Sequence, residues 1–318
     1  MILCSISTKG RYDTTLPMAI QSVLTQTVLP DKLVLFDDND EPKDLRQLQH
    51  FQYLFKIMDE KGLSWEVIFG PKKGQHYNHQ TANTMGYEWV WRLDDDTVAE
   101  SNVLETLLSY TSPEIGAVGG SILTPPFIKG LQSTGKIEDL EEQSIQWDYI
   151  SHVKEVDHLH CSFLYRAGIQ DYNLALSRAA FREETLFTFG LKQRGYKILV
   201  IPNANTWHLK NQSGGVRTNT KEMFDNDDKI FRNFLKYKNQ TIVVLDCGMG
   251  DHIIFSHVLP HIKRPEVFSC YPDIIPGRSI AEAIELFGDI EQFNVYRKMD
   301  QWNWKQSVEK AFRRLYNV

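Results

Sequence analysis

The chain has 318 residues, 42% hydrophobic and 24% charged, a globular balance that excludes a disordered or fibrous class and has room for one large domain or two. A formal net charge of −6 gives no general reason to bind nucleic acid or an anionic membrane. The four cysteines, Cys4, Cys161, Cys247 and Cys270, lie far apart with no CxxC pair, which argues against a zinc knuckle or a disulfide framework and for reduced thiols in a cytoplasmic protein. No apolar run approaches the ~20 residues of a membrane helix. The opening MILCSISTKGRYD has no basic segment followed by a long apolar one, so it does not read as a signal peptide.

In chain order, ILCSIST (2–8) is a β-rich run. Leu16, Ile20, Val23 and Leu24 then recur at helical spacing, with Asp13 or Thr14 as N-cap and Pro17 in the first turn. KLVLFDD is a second strand. Residues 43–61 form a helix with Leu45, Leu48, Phe55 and Met58 on one face, stopped by Gly62. WEVIF (65–69) is a third strand, 77–87 a weak helix, and EWVWRL a fourth strand ending in RLDDDTV. Ser101 caps the helix NVLETLLSY, and GAVGGSIL (116–123) is a fifth strand. Strands alternating with helices predict a mainly parallel α/β sheet with helices on both faces. Residues 124–172 break the alternation with Pro125-Pro126, an acidic run at 138–142 and the aromatics Trp147, Tyr149, Phe163 and Tyr165, and read as an insertion with short antiparallel strands. A helix near 180–194 stopped by Gly195, the strand KILVIP and a polar helix over 219–238 follow. A second small α/β unit begins at TIVVLDCGMGD, which puts the domains at 1–238 and 239–318.

Ligands of open α/β sheets bind beyond the carboxyl ends of the strands. That rule collects Ser7, Thr8 and Arg11 after strand one, Asp37 and Asp38 after strand two, Lys72, Lys73 and Gly74 after strand three, and Asp94-Asp95-Asp96 after strand four. Adjacent carboxylates repel unless something positive sits among them. If the strand continues, alternation turns Asp94 and Asp96 to one ligand and Asp95 the other way. A hard divalent cation is the economical neutraliser. A DDD triplet alone reads equally as a solvated turn capping the next helix; its place after an apolar run favours the cation.

The ordered set SISTKGRYDTTLPMAIQSVLTQTVLPDKLVLFDDND, WRLDDDTV and AFREETLFTFGLKQRGYKILVIPNANTWHL resembles the family 2 nucleotide-sugar glycosyltransferases of GT-A fold, over roughly residues 2–217. The resemblance implies that Asp37 or Asp38 contacts the nucleobase or ribose. It implies that Asp94 and Asp96 serve diphosphate and metal, and that His208 is a further metal ligand or diphosphate contact. The cation would be Mn2+ or Mg2+. An imidazole at 208 followed by SGGVR suits a metal and a close backbone approach to phosphate, and Arg217 offers either a bidentate phosphate contact or a plain surface arginine. FREET puts Glu183 and Glu184 at a helix start, where carboxylates also serve as simple caps. The family has Glu-Asp at this place, with the aspartate as general base. Glu184 aligns with that aspartate, and a pKa raised by burial beside other acids would suit it.

The loop PKKGQHYNHQTAN lacks the Walker spacing and reads as part of the sugar-nucleotide site, with Lys73 and Asn83 as contacts. HVKEVDHLHC would put His158 and His160 on one face of a strand. The resemblance places it near the acceptor pocket, where strand packing accounts for it without a second metal. VVLDCGMGDHIIFSHVLPHI, with Ile254, Val258 and Ile262 on one helix face, is similar to the opening unit of heptosyltransferase-like enzymes of GT-B fold, but the following chain is too short for a second site of that kind. It reads as a docking or homo-oligomer module, with a basic amphipathic stretch at 305–314.

Together these readings predict a metal-dependent, inverting hexosyltransferase that moves a sugar from a nucleoside diphosphate donor, UDP-sugar first, to an acceptor hydroxyl. The acceptor class stays open, glycan foremost, with modified nucleic acid another. The alternatives are a catalytically inactive nucleotide-sugar or glycan-binding module, and a nucleotidyltransferase.

Overall fold

The computed structural model describes residues 1–124, 133–141, 149–210, 213–238, 241–245, 248–257, 259–262, 264–287 and 296–297. Pro125, Pro126, Trp147, Val258, the end of the acidic run and the basic stretch at 305–314 lie outside the described residues. Two compact units result, Met1–Tyr172 with Ser177–Asp227, and Asn173–Leu176 with the chain from Asp228 on.

The first unit opens with β1 (Ile2–Thr8), α1 (Leu16–Leu24), β2 (Lys32–Asp37), α2 (Gln49–Glu60), β3 (Ser64–Phe69), α3 (Gln75–Asn83) and β4 (Trp89–Asp94). There follow β5 (Thr97–Ala99), α4 (Val103–Leu108), β6 (Ile115–Leu123), β7 (Lys154–Glu155), β8 (Phe163–Arg166), α5 (Glu183–Gln193) and β9 (Lys197–His208). Helix α6 (Lys221–Tyr237) runs from the first unit into the second, which holds β10 (Thr241–Leu245), α7 (Met249–Ser256), β11 (Pro265–Ser269), α8 (Ile280–Phe287) and β12 (Tyr296–Arg297). The main sheet runs β3-β2-β1-β4-β8-β6-β9-β5, with β7 on β9. The stretch β3-β2-β1-β4 is parallel throughout, and β8 enters antiparallel between β4 and β6, as the short strands expected of the insertion. The second sheet is parallel, in the order β11-β10-β12.

The apolar faces predicted for the early helices form the core. Leu16, Ile20, Val23 and Leu24 of α1 and Leu45, Phe55 and Met58 of the predicted second helix are buried with Cys4 and Ile6 of β1, Leu48 is partly buried, and Phe51, outside the predicted set, joins them. Three local expectations are corrected. The helix over 43–61 is two pieces, because the Asp44 side chain accepts from Arg46 N and caps a separate short turn at Leu45–Gln47, leaving Leu48 extended. The residue at the N-cap of α1 is Thr15, whose side chain makes no capping hydrogen bond. Ser101 does not cap α4; Asn102 occupies the position, and the buried Gln26 Oε1 accepts from Leu104 N at 2.9 Å instead.

β6 and β9 approach so closely that a Cβ on Gly120 would stand 1.8 Å from the Ala204 carbonyl oxygen. On Gly119 its tightest contact would be the Leu159 Cδ2 methyl at 3.0 Å, with the Ser162 carbonyl oxygen at an ordinary 3.5 Å. Gly120→Ala is therefore expected to lower unfolding stability by about 3 kcal/mol, because backbone must move, and Gly119→Ala by clearly less. Urea unfolding of the two variants checks the difference.

Among the described residues no helix is long and apolar enough to cross a membrane.

Candidate active site

The parallel strands bring their carboxyl ends to one cleft, lined by Ser7, Thr8, Lys9 and Arg11 after β1, Asp38 after β2, Gly74 before α3, Asp94, Asp95 and Asp96 after β4, Arg178 to Arg182 with Glu184 around the start of α5, and His208 at the end of β9. All of these residues belong to the first unit.

The aspartates are held by arginines. β4 ends at Asp94 and a turn follows, so the alternation predicted across the triplet stops there. Asp95 is therefore not turned away from Asp96: both pair with the buried guanidinium of Arg11, Asp96 Oδ2 at 3.1 Å. Burial pushes the Asp95 carboxyl up to about 6, with Arg11 pulling it down and Asp96 adding to the rise. Lys9 N donates to Asp95 Oδ2 at 3.2 Å. The other oxygen of Asp96, Oδ1, lies 3.5 Å from His208 Nε2, because the short strand β5 pairs antiparallel with β9 and sets Thr97 opposite His208. Asp94 accepts from Arg92 Nη2 at 3.1 Å, two residues back on the same strand face. The donors on this wall that suit a hard divalent cation are thus carboxylate oxygens of Asp94 and Asp96 and the Nε2 of His208.

The two glutamates have different surroundings. Glu183 is fully buried in an ion pair with Arg92, itself fully buried, at 2.6 Å, and Gln75 Nε2 donates to it at 3.1 Å. Burial drives its carboxyl upward, against the opposing pull of Arg92. Glu184, one helical step on, faces the cleft and accepts from His160 Nδ1 at 3.0 Å. The raised pKa expected of Glu184 is corrected. Burial does push it up, but the His160 hydrogen bond and the Arg92 charge outweigh that and hold it at about 2. Ala180 and Arg182 adopt positive φ, 51° and 67°, in the turn that starts α5 and aims the pair.

Asp38 accepts from Gly74 N at 3.1 Å, and Arg178 Nη2 reaches the Asp38 carbonyl at 2.8 Å. Gly74 sits at φ +110°, where a Cβ would strike the Arg178 carbonyl oxygen at 2.8 Å, so only glycine fits. Besides the buried Glu183 and the exposed Lys72, the predicted residues Asp37, Asn83 and Lys73 lie off the cleft lining. Asp37 accepts from Tyr12 Oη and from Asn39 N and Nδ2. Asn83 is tied to Gln170 O and Gly168 N. Lys73 is exposed, 5.1 Å over the Tyr77 ring. The Arg217 side chain lies outside the described residues.

Residues 156–162 do not form a strand, so His158 and His160 do not share a face. His158 is fully buried, with its imidazole pushed down to about 3 by that burial, while His160 lines the cleft beside Cys161 and His208. Sequence reasoning also passed over Lys9, Arg92 and Arg178, and set His160 aside as strand packing. An arginine inside the apolar run WVWRL was the available signal for a buried ion pair, since a charge there needs a partner.

No family model matches the chain, and no curated protein matches it. Solved structures do. S. aureus TarS 1-349 in complex with UDP-GlcNAc aligns with a TM-score of 0.53 at 13% identity, over 99% of this chain and 82% of that one. S. aureus TarS gives 0.52 at 12% identity, over 99% and 48%. GalNAc-T7 with UDP, GalNAc and Mn2+ gives 0.52 at 15% identity, over 75% and 50%. The chain spans about half the length of the latter two. Identities of this size establish fold alone, and the fold is GT-A.

Proposed function

We propose that this chain is a metal-dependent glycosyltransferase of the family 2 kind, moving a sugar with inversion from a nucleoside diphosphate donor, UDP-sugar first, to an acceptor hydroxyl. The observation that carries the reading is that Asp94 to Asp96, Arg11 and Glu184 meet in one cleft at the carboxyl ends of parallel strands. The fold likeness supports the donor, because the neighbours are known with UDP-GlcNAc and with UDP and Mn2+.

In this reading the diphosphate lies along the wall formed by the loop after β1, where Lys9, Arg11 and Arg178 supply positive charge. Gly214 and Gly215, both at positive φ, let the loop after β9 come close to it. Asp38 takes the nucleoside. Asp94, Asp96 and His208 hold a divalent cation, Mn2+ or Mg2+. When bound, that cation supplies charge against the negative charge developing on the departing diphosphate. Glu184 accepts the proton of the acceptor hydroxyl as its oxygen attacks the anomeric carbon on the face opposite the diphosphate. Glu183 and Arg92 hold the start of α5 so that Glu184 keeps its aim. The second unit is a docking or homo-oligomer module, and the acceptor is a glycan or another hydroxyl-bearing molecule.

Asp96→Asn is expected to weaken Mn2+-supported UDP-sugar binding by at least ~100-fold, a loss of the several kcal/mol scale usual for metal charge. Calorimetric titration with and without chelator measures it. Full turnover in chelator-stripped protein would remove the metal from the reading. The released product separates the classes: UDP supports sugar transfer, pyrophosphate from a nucleoside triphosphate means nucleotidyl transfer, and tight donor binding without turnover means a binding module.

A further inference from the structure

His160, Cys161 and His208 present one donor atom each within 4.8 Å of one another. Cys161 Sγ lies 2.9 Å from His160 Nε2 and 3.4 Å from His208 Nδ1. Around a tetrahedral zinc ion, with its usual Zn–S and Zn–N bond lengths, sulfur and nitrogen ligands stand ~3.5 Å apart. The far nitrogen of each ring faces a carboxylate, His160 Nδ1 at 3.0 Å from Glu184 Oε1 and His208 Nε2 at 3.5 Å from Asp96 Oδ1. A carboxylate behind each imidazole is the arrangement that orients histidine ligands toward a metal.

With no cation between Asp96 and His208, each carboxylate favours the imidazole proton on the nitrogen facing it, and that tautomer directs two imidazole lone pairs at one sulfur. A thiol has a single hydrogen and satisfies one of them. A cation between the three atoms satisfies both, releasing the thiol proton to solvent. The backbone is arranged for this convergence. Cys161 holds φ at +56°, a region a non-glycine residue seldom occupies, and Ser162 N closes a tight turn onto His160 O at 2.7 Å. Both imidazoles line the cleft, which gives an ion a way in, while Cys161 is fully buried.

We propose that His160 Nε2, Cys161 Sγ and His208 Nδ1 form a site for a soft divalent cation, zinc foremost, and that its occupation withdraws His208 from the donor-side cation set. A thiolate selects zinc over the hard Mn2+ or Mg2+. A neutral imidazole has one lone pair. Once Nδ1 ligates zinc, Nε2 carries the proton, donates to Asp96 and cannot bind a second metal. Zinc is therefore a negative regulator of manganese-supported donor binding. The withdrawal rests on the donor-side reading above; the zinc site itself does not.

Co2+ added to the full-length, metal-free chain tests the site, because cobalt bound to thiolate absorbs by sulfur-to-metal charge transfer. We expect that band at one equivalent, its bleaching by one equivalent of zinc, its loss in Cys161→Ser, and its retention in Asp94→Asn. His160→Asn, which keeps the thiol, should weaken cobalt by ~10-fold or more. Absence of the band in the wild-type chain overturns the site without recourse to any variant, and so does a band that persists undiminished in a folded Cys161→Ser. Calorimetry then tests the withdrawal: one equivalent of zinc should weaken Mn2+-supported UDP-sugar binding at least tenfold in the wild type and not in Cys161→Ser. Unchanged donor affinity in zinc-loaded protein overturns the withdrawal. A cobalt band with no donor binding under any metal leaves the zinc site standing and sinks the donor reading, and the reverse result does the opposite.

Discussion

Glu184→Gln is expected to lower sugar transfer by ~100-fold or more, the usual scale for a lost general base, with donor affinity nearly unchanged. The substitution keeps the shape and removes the basicity. Glu184 is the carboxylate of the pair that lines the cleft, and its bond from His160 Nδ1 at 3.0 Å sets its direction. Held at about 2 by the His160 bond and the Arg92 charge, it is ionised at neutral pH but a weaker base than a free carboxylate, so its part in proton removal rests on its position in the cleft. The same shift has a stability consequence. A carboxyl whose folded pKa is depressed contributes stability above its unfolded value, near 4.5, and loses it as pH falls toward about 2. Urea titrations between neutral and acid pH should therefore show a loss in the wild type that Glu184→Gln lacks. Transfer rates for Glu184→Gln and Glu183→Gln decide the assignment. If Glu183→Gln is the slower variant, the base is Glu183; if neither slows transfer, the acid–base role of this motif is wrong.

Glu183→Ala should instead cost about 3–5 kcal/mol of stability, because it leaves the Arg92 charge buried without its closest partner. Both side chains are fully enclosed, 2.6 Å apart, and Arg92 has otherwise Asp94 at 3.1 Å and the Phe163 ring at 5.5 Å. Replacing both members, as Arg92→Met with Glu183→Leu, should return most of the lost stability, since a buried pair is often no more stabilising than apolar groups of like volume. Denaturant unfolding of the two single variants and the double gives the coupling directly. A neutral Glu183→Ala would mean that the pair contributes nothing to holding the start of α5.

The order of elements was legible because its signals are local. β1 to β4 and the helices between them follow from apolar periodicity, and the rule that ligands collect at strand carboxyl ends found Ser7, Thr8, Arg11, Asp38 and the aspartates. Asp37 and Asp38 could not be separated this way, since adjacent residues at a strand end differ only in which face they meet; Asp37 turns to Tyr12 and Asn39. β5 was missed because three residues are too few for a pattern and its existence depends on β9, over a hundred positions away. The convergence of His160 and Cys161 on His208 was missed for a different reason. Reading HVKEVDHLHC as a strand assumes alternation, which would turn His160 and Cys161 apart, and the left-handed conformation at Cys161 cancels it. The pKa of Glu184 was misjudged because burial was counted and the His160 bond was not visible.

β9 carries one more consequence, for how sequences of this kind can change over time. Between Gly119 and Ser121 on β6 the partner strand advances from Val200 to Asn205, so residues 201–204 form an irregular step, with Asn203 at φ +62°. The step decides which residue of β9 arrives opposite Thr97, and hence that His208 rather than Trp207 comes within reach of Asp96 and Cys161. Gain of one residue there would bring Trp207 to that place and loss of one would bring Leu209, and either turns His208 to the other face, because neighbours on a strand point to opposite faces. Point substitutions in the cleft can accumulate singly, each altering one contact. The number of residues between Val200 and His208 has no such freedom, so an ancestral insertion or deletion in this interval would have had to be compensated on β5 or β6 at the same time. Descendant chains should accordingly vary in composition across 201–207 while keeping its length.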